Sequence, residues 1–537
     1  MENISLHPKK IINLDSKWII NQEQDFKLNV SYTEDSLVLD VNKINSEATH
    51  TYIIYDTPFN SSNLDFSKSS TYIASIEGEI SNNLDIQLVA TSWKNDKKLV
   101  STHIGMDLNK IIDIPNKSNK LSFALRISGS GKAQLNKIQI LYYEEAEAGV
   151  EQTIFNTNSE AEYLILTNAY PEKNNLYRNM FVHRRALLYR KNGIQSEVFR
   201  FNLTESKLGN YQYENITVFT GDASKLTNLL NKKNYKKILI HFVDKDMMEA
   251  IERSSVSIPM LIWIHGVETE KWYRRWFNFS YNADDLERAL ASIPSNQERI
   301  NFMKSLYENK ELKLKFIFVS KWFKESVAES DTNTIVNNFS IIHNVIDNHL
   351  FQYVEKDREQ RKKVLSIRPY ASHKYANDLS VKAILELSRK DYFEELEFSI
   401  YGHGPLFNKI LEPIRHFKNV SIHNHFLSQE EVAALHKQHG IFLCPTRLDS
   451  QGVSMCEAMS SGLVPITNGV SAIPEFVNEQ CGYLAGKEDY QGLADAISFL
   501  YFHPEEFQKK SLNSSQKIQK QCGVEQILKK EINEIIN

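Results

Sequence analysis

"PTRLDSQGVSMCEAMSSG", residues 445–462, is the stretch that decides the fold. It leaves the short apolar run "GIFLC" (440–444), passes through Gly452 and enters a small-residue segment with helical spacing. Strand, loop and helix start in that order put the loop at the carboxyl end of a strand, where open α/β sheets bind ligands. Two acids flank the glycine, Asp449 before it and Glu457 after it. Ser454 and Glu457 fit the S-x-x-E capping box, which satisfies amides at a helix start. The same geometry has a second use. N–H groups of Gly452, Val453 and Ser454, helped by the helix dipole, face an anion, and the carboxylates suit the paired hydroxyls of a ribose or a sugar. Both readings stand for this segment alone.

Upstream, "LSIRPYASHKYANDLSVKAI" places Arg368 at a strand end and Lys374 ahead of a helix. Arg holds a phosphate with a planar fork and Lys adds a point charge, or both are solvated loop cations. "IYGHGPL" supplies Gly402 and Gly404 after the next apolar run.

This loop belongs to a repeating pattern. From Tyr163, short apolar runs alternate with helical segments: "YLILT", "SEVFRF", "KKILIHFV", "PMLIWIHG", "KFIFVS", "SIIHNV". The alternation restarts at "KVLSIRP" and continues through "LEFSIYG", "VSIHNHF", "GIFLCP" and "LVPITN". Two tandem Rossmann-like α/β domains follow, 163–350 and 351–520, with a terminal amphipathic helix (521–537) crossing their junction. Residues 1–148 differ. "FKLNVSY", "SLVLDVN", "HTYIIYD", "TYIASIEGEI", "DIQLVATSW" and "LSFALRI" are β-branched and aromatic, as in an all-β sandwich or jelly roll, with "RISGSGKAQLNKIQILYYEE" as its closing hairpin. The acidic stretch 149–162 reads as the linker.

The composition is that of a globular protein, 42% hydrophobic and 24% charged, and the net charge of −4 gives no global case for nucleic acid. The start shows no apolar signal region, and no apolar run is long enough to span a membrane. Cys444, Cys456, Cys481 and Cys522 never form CxxC, which argues against disulfides or a zinc site and fits a cytoplasmic location.

"RPYASHK", "YGHGPL", "DSQGVSMCEAMSSGLVPIT" and "AIPE" occur in order, and together they resemble the C-terminal domain of the family 4 glycosyltransferases of the GT-B fold. The resemblance covers about residues 160–537 and leaves the first 148 without a counterpart. It implies a retaining transferase that uses a nucleotide sugar, UDP-linked, and needs no metal or other cofactor. Arg368 and Lys374 would neutralise the leaving diphosphate, Glu457 would bind the ribose hydroxyls, and Asp449 would sit by the donor sugar. Gln451, Gly452 and Val453 would supply backbone contacts beside Ser454 and Gly402. Asp449 stands where the family usually has Glu, so it keeps the charge with less reach.

On the acceptor side, "PMLIWIHG" ends on His265 and Gly266. The resemblance places a strand-end His by the donor sugar, and Asn344 of "IIHNVID" in the cleft. "EKNNLYRN" replaces the family's Gly-rich loop, which makes Asn175 and Tyr177 candidates there. The following helix carries Arg178, His183, Arg184, Arg185, Arg190 and Lys191, a solvated basic face or a peripheral contact with an anionic membrane. Trp272 and Trp276, four apart, are core, acceptor platform or membrane contact. Two decoys carry little: "HNH" (423–425) ends a strand, and His436 and His439 are expected to be exposed. The function expected is transfer of a hexose or N-acetylhexosamine to a surface-polysaccharide, teichoic-acid-like, lipid-linked or protein acceptor. The β-domain would bind glycan or mediate homo-oligomerisation. A non-catalytic nucleotide-sugar or glycan binder and a sugar-nucleotide epimerase are the alternatives.

Overall fold

The computed structural model describes residues 7–14, 18–20, 25–45, 47–81, 83–156, 160–173, 178–425 and 427–537. The chain folds as two compact units, Met1–Met260 and Leu261–Asn537.

The first unit begins with two antiparallel sheets. One runs Trp18–Ile20, Thr51–Tyr55, Lys120–Gly129, Leu84–Lys94, Lys97–Ile104. Alternate residues of Lys120–Gly129 are buried, as expected of strands with one face on a core. The expected closing hairpin does not form. Lys120–Gly129 and Gly131–Tyr143 are consecutive, yet they lie in different sheets. Gly129 (φ +88°) and Gly131 (φ +149°) take left-handed backbone at the turn, and this sends the chain across rather than back.

The second sheet does not end with the N-terminal region. Its order is Phe26–Tyr32, Leu37–Lys43, Gly131–Tyr143, Thr71–Ile80, Asn109–Ile111, Gly209–Tyr213, Ile216–Gly221, Ser196–Phe201, Tyr163–Thr167, Lys237–His241. The last four strands are parallel and buried, the core of a Rossmann-like domain. Asn109 and Lys110 pair with Asn210 and Gly209, so one continuous sheet joins both parts. The acidic stretch read as a linker carries a helix, Glu147–Phe155, whose Glu147 pairs with Lys207 at 2.6 Å and Lys225 at 3.0 Å. The basic face of the helix Met180–Lys191 is narrower than its sequence implies. His183 and Arg185 are buried, His183 against the Tyr170 hydroxyl at 2.7 Å.

The second unit holds the parallel pair Leu314–Phe318 and Phe339–Ile341 and a six-stranded parallel sheet. That sheet runs Val420–Asn424, Glu397–Gly402, Lys363–Ile367, Ile441–Leu443, Val464–Asn468, Tyr483–Ala485. Strand order reverses between Lys363–Ile367 and Ile441–Leu443, and such a switch point opens a crevice at the carboxyl ends. The helix Val453–Ser460 buries Met455, Cys456, Ala458 and Met459 beneath it. All four cysteines are buried thiols. Trp272 and Trp276 lie in a 3₁₀ segment kinked at Arg275, so they are not neighbours on an α-helix face. The last helix, Val524–Ile536, reaches the pair of strands: Glu534 accepts from the Ser340 hydroxyl at 2.6 Å and pairs with Lys315 at 2.6 Å. No helix among the described residues is long and apolar enough to cross a membrane.

Candidate nucleotide-sugar site

A cavity of about 390 Å³ opens at the switch point. Its wall brings together Arg368, Lys374, Gly402, Asp449, Val453, Ser454 and Glu457, which the sequence scatters over ninety positions. His265, Asn344, Gln451, Gly452 and Trp272 do not line it, and Asn175 and Tyr177 lie outside the described residues.

Arg368 ends the strand Lys363–Ile367 and is buried. Its Nη1 donates to the Ser454 hydroxyl at 3.2 Å and Nη2 to the Pro445 carbonyl at 3.3 Å, while Nε finds no partner among the described residues. A buried, unspent guanidinium N–H beside a cavity is a ready anion donor. Gly402 is needed for this arrangement: a Cβ there would stand 2.1 Å from the Arg368 carbonyl. Lys374 lies in the 3₁₀ turn His373–Tyr375. The Tyr375 ring faces both cations, with the Arg368 guanidinium carbon 5.0 Å and the Lys374 Nζ 5.7 Å from its centre. An aromatic face eases the repulsion of two like charges before an anion arrives.

The helix start differs from the capping-box expectation. Its N-cap is Gly452 (φ +81°), and no side chain caps it. Ser454 is turned toward Arg368 instead. The first intrahelical bond runs from Cys456 N–H to Gly452 O, so the N–H groups of Val453, Ser454 and Met455 precede it. Asp449 takes over at the turn. Its Oδ1 accepts the Gly452 N–H at 2.7 Å and the Gln451 N–H at 3.1 Å. The acid short by one methylene is thus the right length to fold back on its own loop.

The loop also reaches the residues that follow the strands Met260–Ile264 and Phe339–Ile341. Gln451, 1% exposed, accepts the Asn344 N–H at 2.6 Å and donates to its carbonyl at 3.0 Å. The Ser450 hydroxyl donates to the His265 carbonyl at 3.3 Å. Gln451 contributes a side chain here where backbone contacts were expected. His265 owes its position to a residue the sequence reading passed over. Buried Glu268 accepts the His265 N–H at 3.1 Å and the Gly266 N–H at 2.7 Å, and burial raises its carboxyl pKa. Glu475 of "AIPE" accepts the Lys321 and Trp322 N–H groups at 3.1 and 2.5 Å. Tyr375 and Glu268 have no spacing signature of their own, whereas Glu475 closes the quoted motif "AIPE".

Both decoy histidines are buried rather than exposed. His436 meets the Ser461 hydroxyl at 3.1 Å, and His439 meets the Leu435 carbonyl and the Ser399 hydroxyl. Among the described residues no group of three or more His, Cys, Asp or Glu is placed to hold a metal ion.

Residues 361–502 match the family model for glycosyl transferases group 1. Over 77 residues the chain is 31% identical to GDP-mannose:cellobiosyl-diphosphopolyprenol alpha-mannosyltransferase of Xanthomonas oryzae pv. oryzae, a match covering 14% of this chain and 20% of that protein. The chain therefore spans about a fifth of the length of the curated relative it matches. Sucrose-phosphate synthase from Thermosynechococcus elongatus superposes with a TM-score of 0.52 at 13% identity, over 70% of this chain and 99% of that one. A structure from E. coli named as trehalose-6-phosphate bound with UDP-2-fluoro glucose gives 0.51 at 10% identity, over 70% and 98%. At such identities the likeness shows the fold alone. The fold is α/β and of the GT-B class, with a strand-rich N-terminal region.

Proposed function

We propose that the protein is a nucleotide-sugar-dependent glycosyltransferase that retains anomeric configuration and acts without a metal ion. One observation carries this reading: Arg368, Lys374 and the open start of Val453–Ser460 converge on one cavity with Glu457 on its rim. Cations and aligned amides suit a diphosphate, and a carboxylate beside them suits vicinal hydroxyls. In the reaction, the bond from the sugar's anomeric carbon to the diphosphate oxygen breaks as charge grows on that oxygen. Preorganised donors stabilise such charge most effectively where water is excluded. The acceptor hydroxyl attacks from the same face, and its proton passes to the departing phosphate oxygen. No protein general base is then required. Asp449 shapes the loop through Gly452 with Oδ1 and lines the cavity beside the proposed sugar position.

The donor proposed is a UDP-linked hexose or N-acetylhexosamine. UDP-2-fluoro glucose in a fold neighbour and the mannosyl donor in the name of the curated relative support a nucleotide sugar. The acceptor is a surface glycan, a lipid-linked sugar or a protein, met at the cytoplasmic side. The test is incubation with UDP-, GDP- and ADP-sugars and a panel of such acceptors, with product anomers assigned by NMR. Transfer with retained configuration is expected. Binding without hydrolysis or transfer would overturn the enzyme reading, and a changed sugar with no acceptor present would make the protein an epimerase.

A further inference from the structure

We infer that Arg447 is a positioning residue that locks the Lys374 turn in place for the diphosphate; this rests on the nucleotide-sugar reading of the site. Arg447 follows the strand Ile441–Leu443, and its side chain is 3% exposed. A guanidinium has five N–H donors, and all five are engaged. Nη1 and Nη2 donate to the two Asp378 oxygens at 2.8 Å each. Nε and the second Nη2 hydrogen donate to the two Glu488 oxygens at 2.7 Å each. The remaining Nη1 hydrogen goes to the His373 carbonyl at 2.8 Å. The backbone completes the grip: Arg447 N–H donates to the Lys374 carbonyl at 2.9 Å. Two successive carbonyls of the turn are thus held by one residue.

The charge arithmetic excludes Arg447 from anion binding itself. Two bidentate carboxylates surround one cation, so the cluster carries net negative charge and no donor is left over. What the cluster does have is rigidity at a turn that needs it. The turn ends on Ala376 (φ +47°) and the clamp's far side on Glu488 (φ +58°). Left-handed backbone at non-glycine residues persists only where the surroundings over-determine it. Asp378 lies in the first turn of the helix Asn377–Leu387, which ties the clamp to a rigid element. Arg447 therefore links the segment after one strand, the first turn of that helix and the Lys374 turn, so that the Lys374 ammonium is carried on a fixed backbone.

The test uses the full chain and two variants, Arg447→Met and the milder Glu488→Gln. Amide exchange is followed by mass spectrometry in peptides covering 371–376 and in the core strand Val464–Asn468. In parallel, pyrophosphate, UDP, GDP, ADP and the matching nucleosides are titrated. The expected result is exchange faster by about tenfold or more in the turn with the core strand unchanged. Diphosphate affinity should fall by about tenfold while nucleoside affinity holds. Turn exchange equal to that of the wild type, or a rise in turn and core together in both variants, would overturn the inference. So would an opened turn with undiminished diphosphate affinity. A wild-type chain that binds no nucleoside diphosphate defeats the nucleotide-sugar reading instead, and the exchange arm still decides whether Arg447 holds the turn.

Discussion

The Gln451 side-chain amide pairs in both directions with the backbone of Asn344, accepting its N–H at 2.6 Å and donating to its carbonyl at 3.0 Å. Gln451 is buried and Asn344 half-buried, and the pair couples the loop of the cavity to the segment after Phe339–Ile341. Gln451→Leu removes both bonds from two half-buried backbone groups of Asn344. A fully buried group left unpaired costs about 1–3 kcal/mol, and partial exposure lowers that, so a loss of about 1–3 kcal/mol in total is expected in urea unfolding. Gln451→Glu should fare little better, since a carboxylate cannot donate to the carbonyl. A loss under about 0.5 kcal/mol would mean water replaces the pair at no cost.

Glu457 separates binding from capping. The N-cap of the helix Val453–Ser460 is Gly452, with no side-chain cap bond, and Glu457→Gln keeps the size of the side chain while removing its charge. Thermal stability should change by less than about 1 kcal/mol, while nucleotide-sugar affinity falls about ten- to a hundredfold, as for loss of charge-assisted hydrogen bonds to hydroxyls. A melting curve run beside a donor titration checks both. A large drop in melting temperature with affinity preserved would return Glu457 to a structural role.

Much of this site was legible because chemistry and topology agree in the sequence. Arg368, Lys374 and Glu457 each follow an apolar strand, and parallel strands bring their carboxyl ends together. Asp449 was legible as a departure, and the structure adds that its Oδ1 accepts the Gly452 N–H, a bond that spacing alone does not announce. The capping box failed because Ser454 had a stronger partner in Arg368, distant in sequence. The hairpin Gly209–Tyr213 and Ile216–Gly221, through which the N-terminal sheet runs on into the Rossmann-like sheet, was missed altogether. Its turn is Glu214-Asn215, both at positive φ, and Glu is not a residue that announces a left-handed turn. Partners such as Glu268 and Tyr375 are set by tertiary packing and leave no periodic trace.

His436 makes stability fall in acid. Burial first, then the Lys356 ammonium, push its pKa down to about 3. Between the ordinary value near 6.5 and that depressed value, the unfolded chain binds a proton that the folded chain refuses, so stability declines as pH drops through this window. At about 1.4 kcal/mol per unit, the decline reaches on the order of 4 kcal/mol near pH 3. His436→Asn should flatten the stability profile between pH 4 and 6.5 relative to the wild type, read from urea midpoints. Parallel profiles would show that His436 does not titrate within the fold.

Two cations lie over the Tyr375 ring, Arg368 at 5.0 Å and Lys374 at 5.7 Å from its centre. Tyr375→Phe keeps that face and should leave donor affinity within about twofold, whereas Tyr375→Leu should lower it about three- to tenfold, the scale of one or two cation–π contacts. The Michaelis constant for the nucleotide sugar is the readout. Equal effects of Phe and Leu would assign the role to the hydroxyl or to packing.

Calorimetric titration of UDP, GDP and ADP, each against its own nucleoside, measures what the diphosphate contributes. In the wild type at least one diphosphate should bind about a hundredfold or more tighter than its nucleoside, which corresponds to about 2.7 kcal/mol. In Arg368→Gln, and again in Lys374→Gln, that difference should shrink by at least tenfold. A diphosphate advantage that survives both substitutions, or no binding of any nucleoside diphosphate, would contradict the assignment of this cavity.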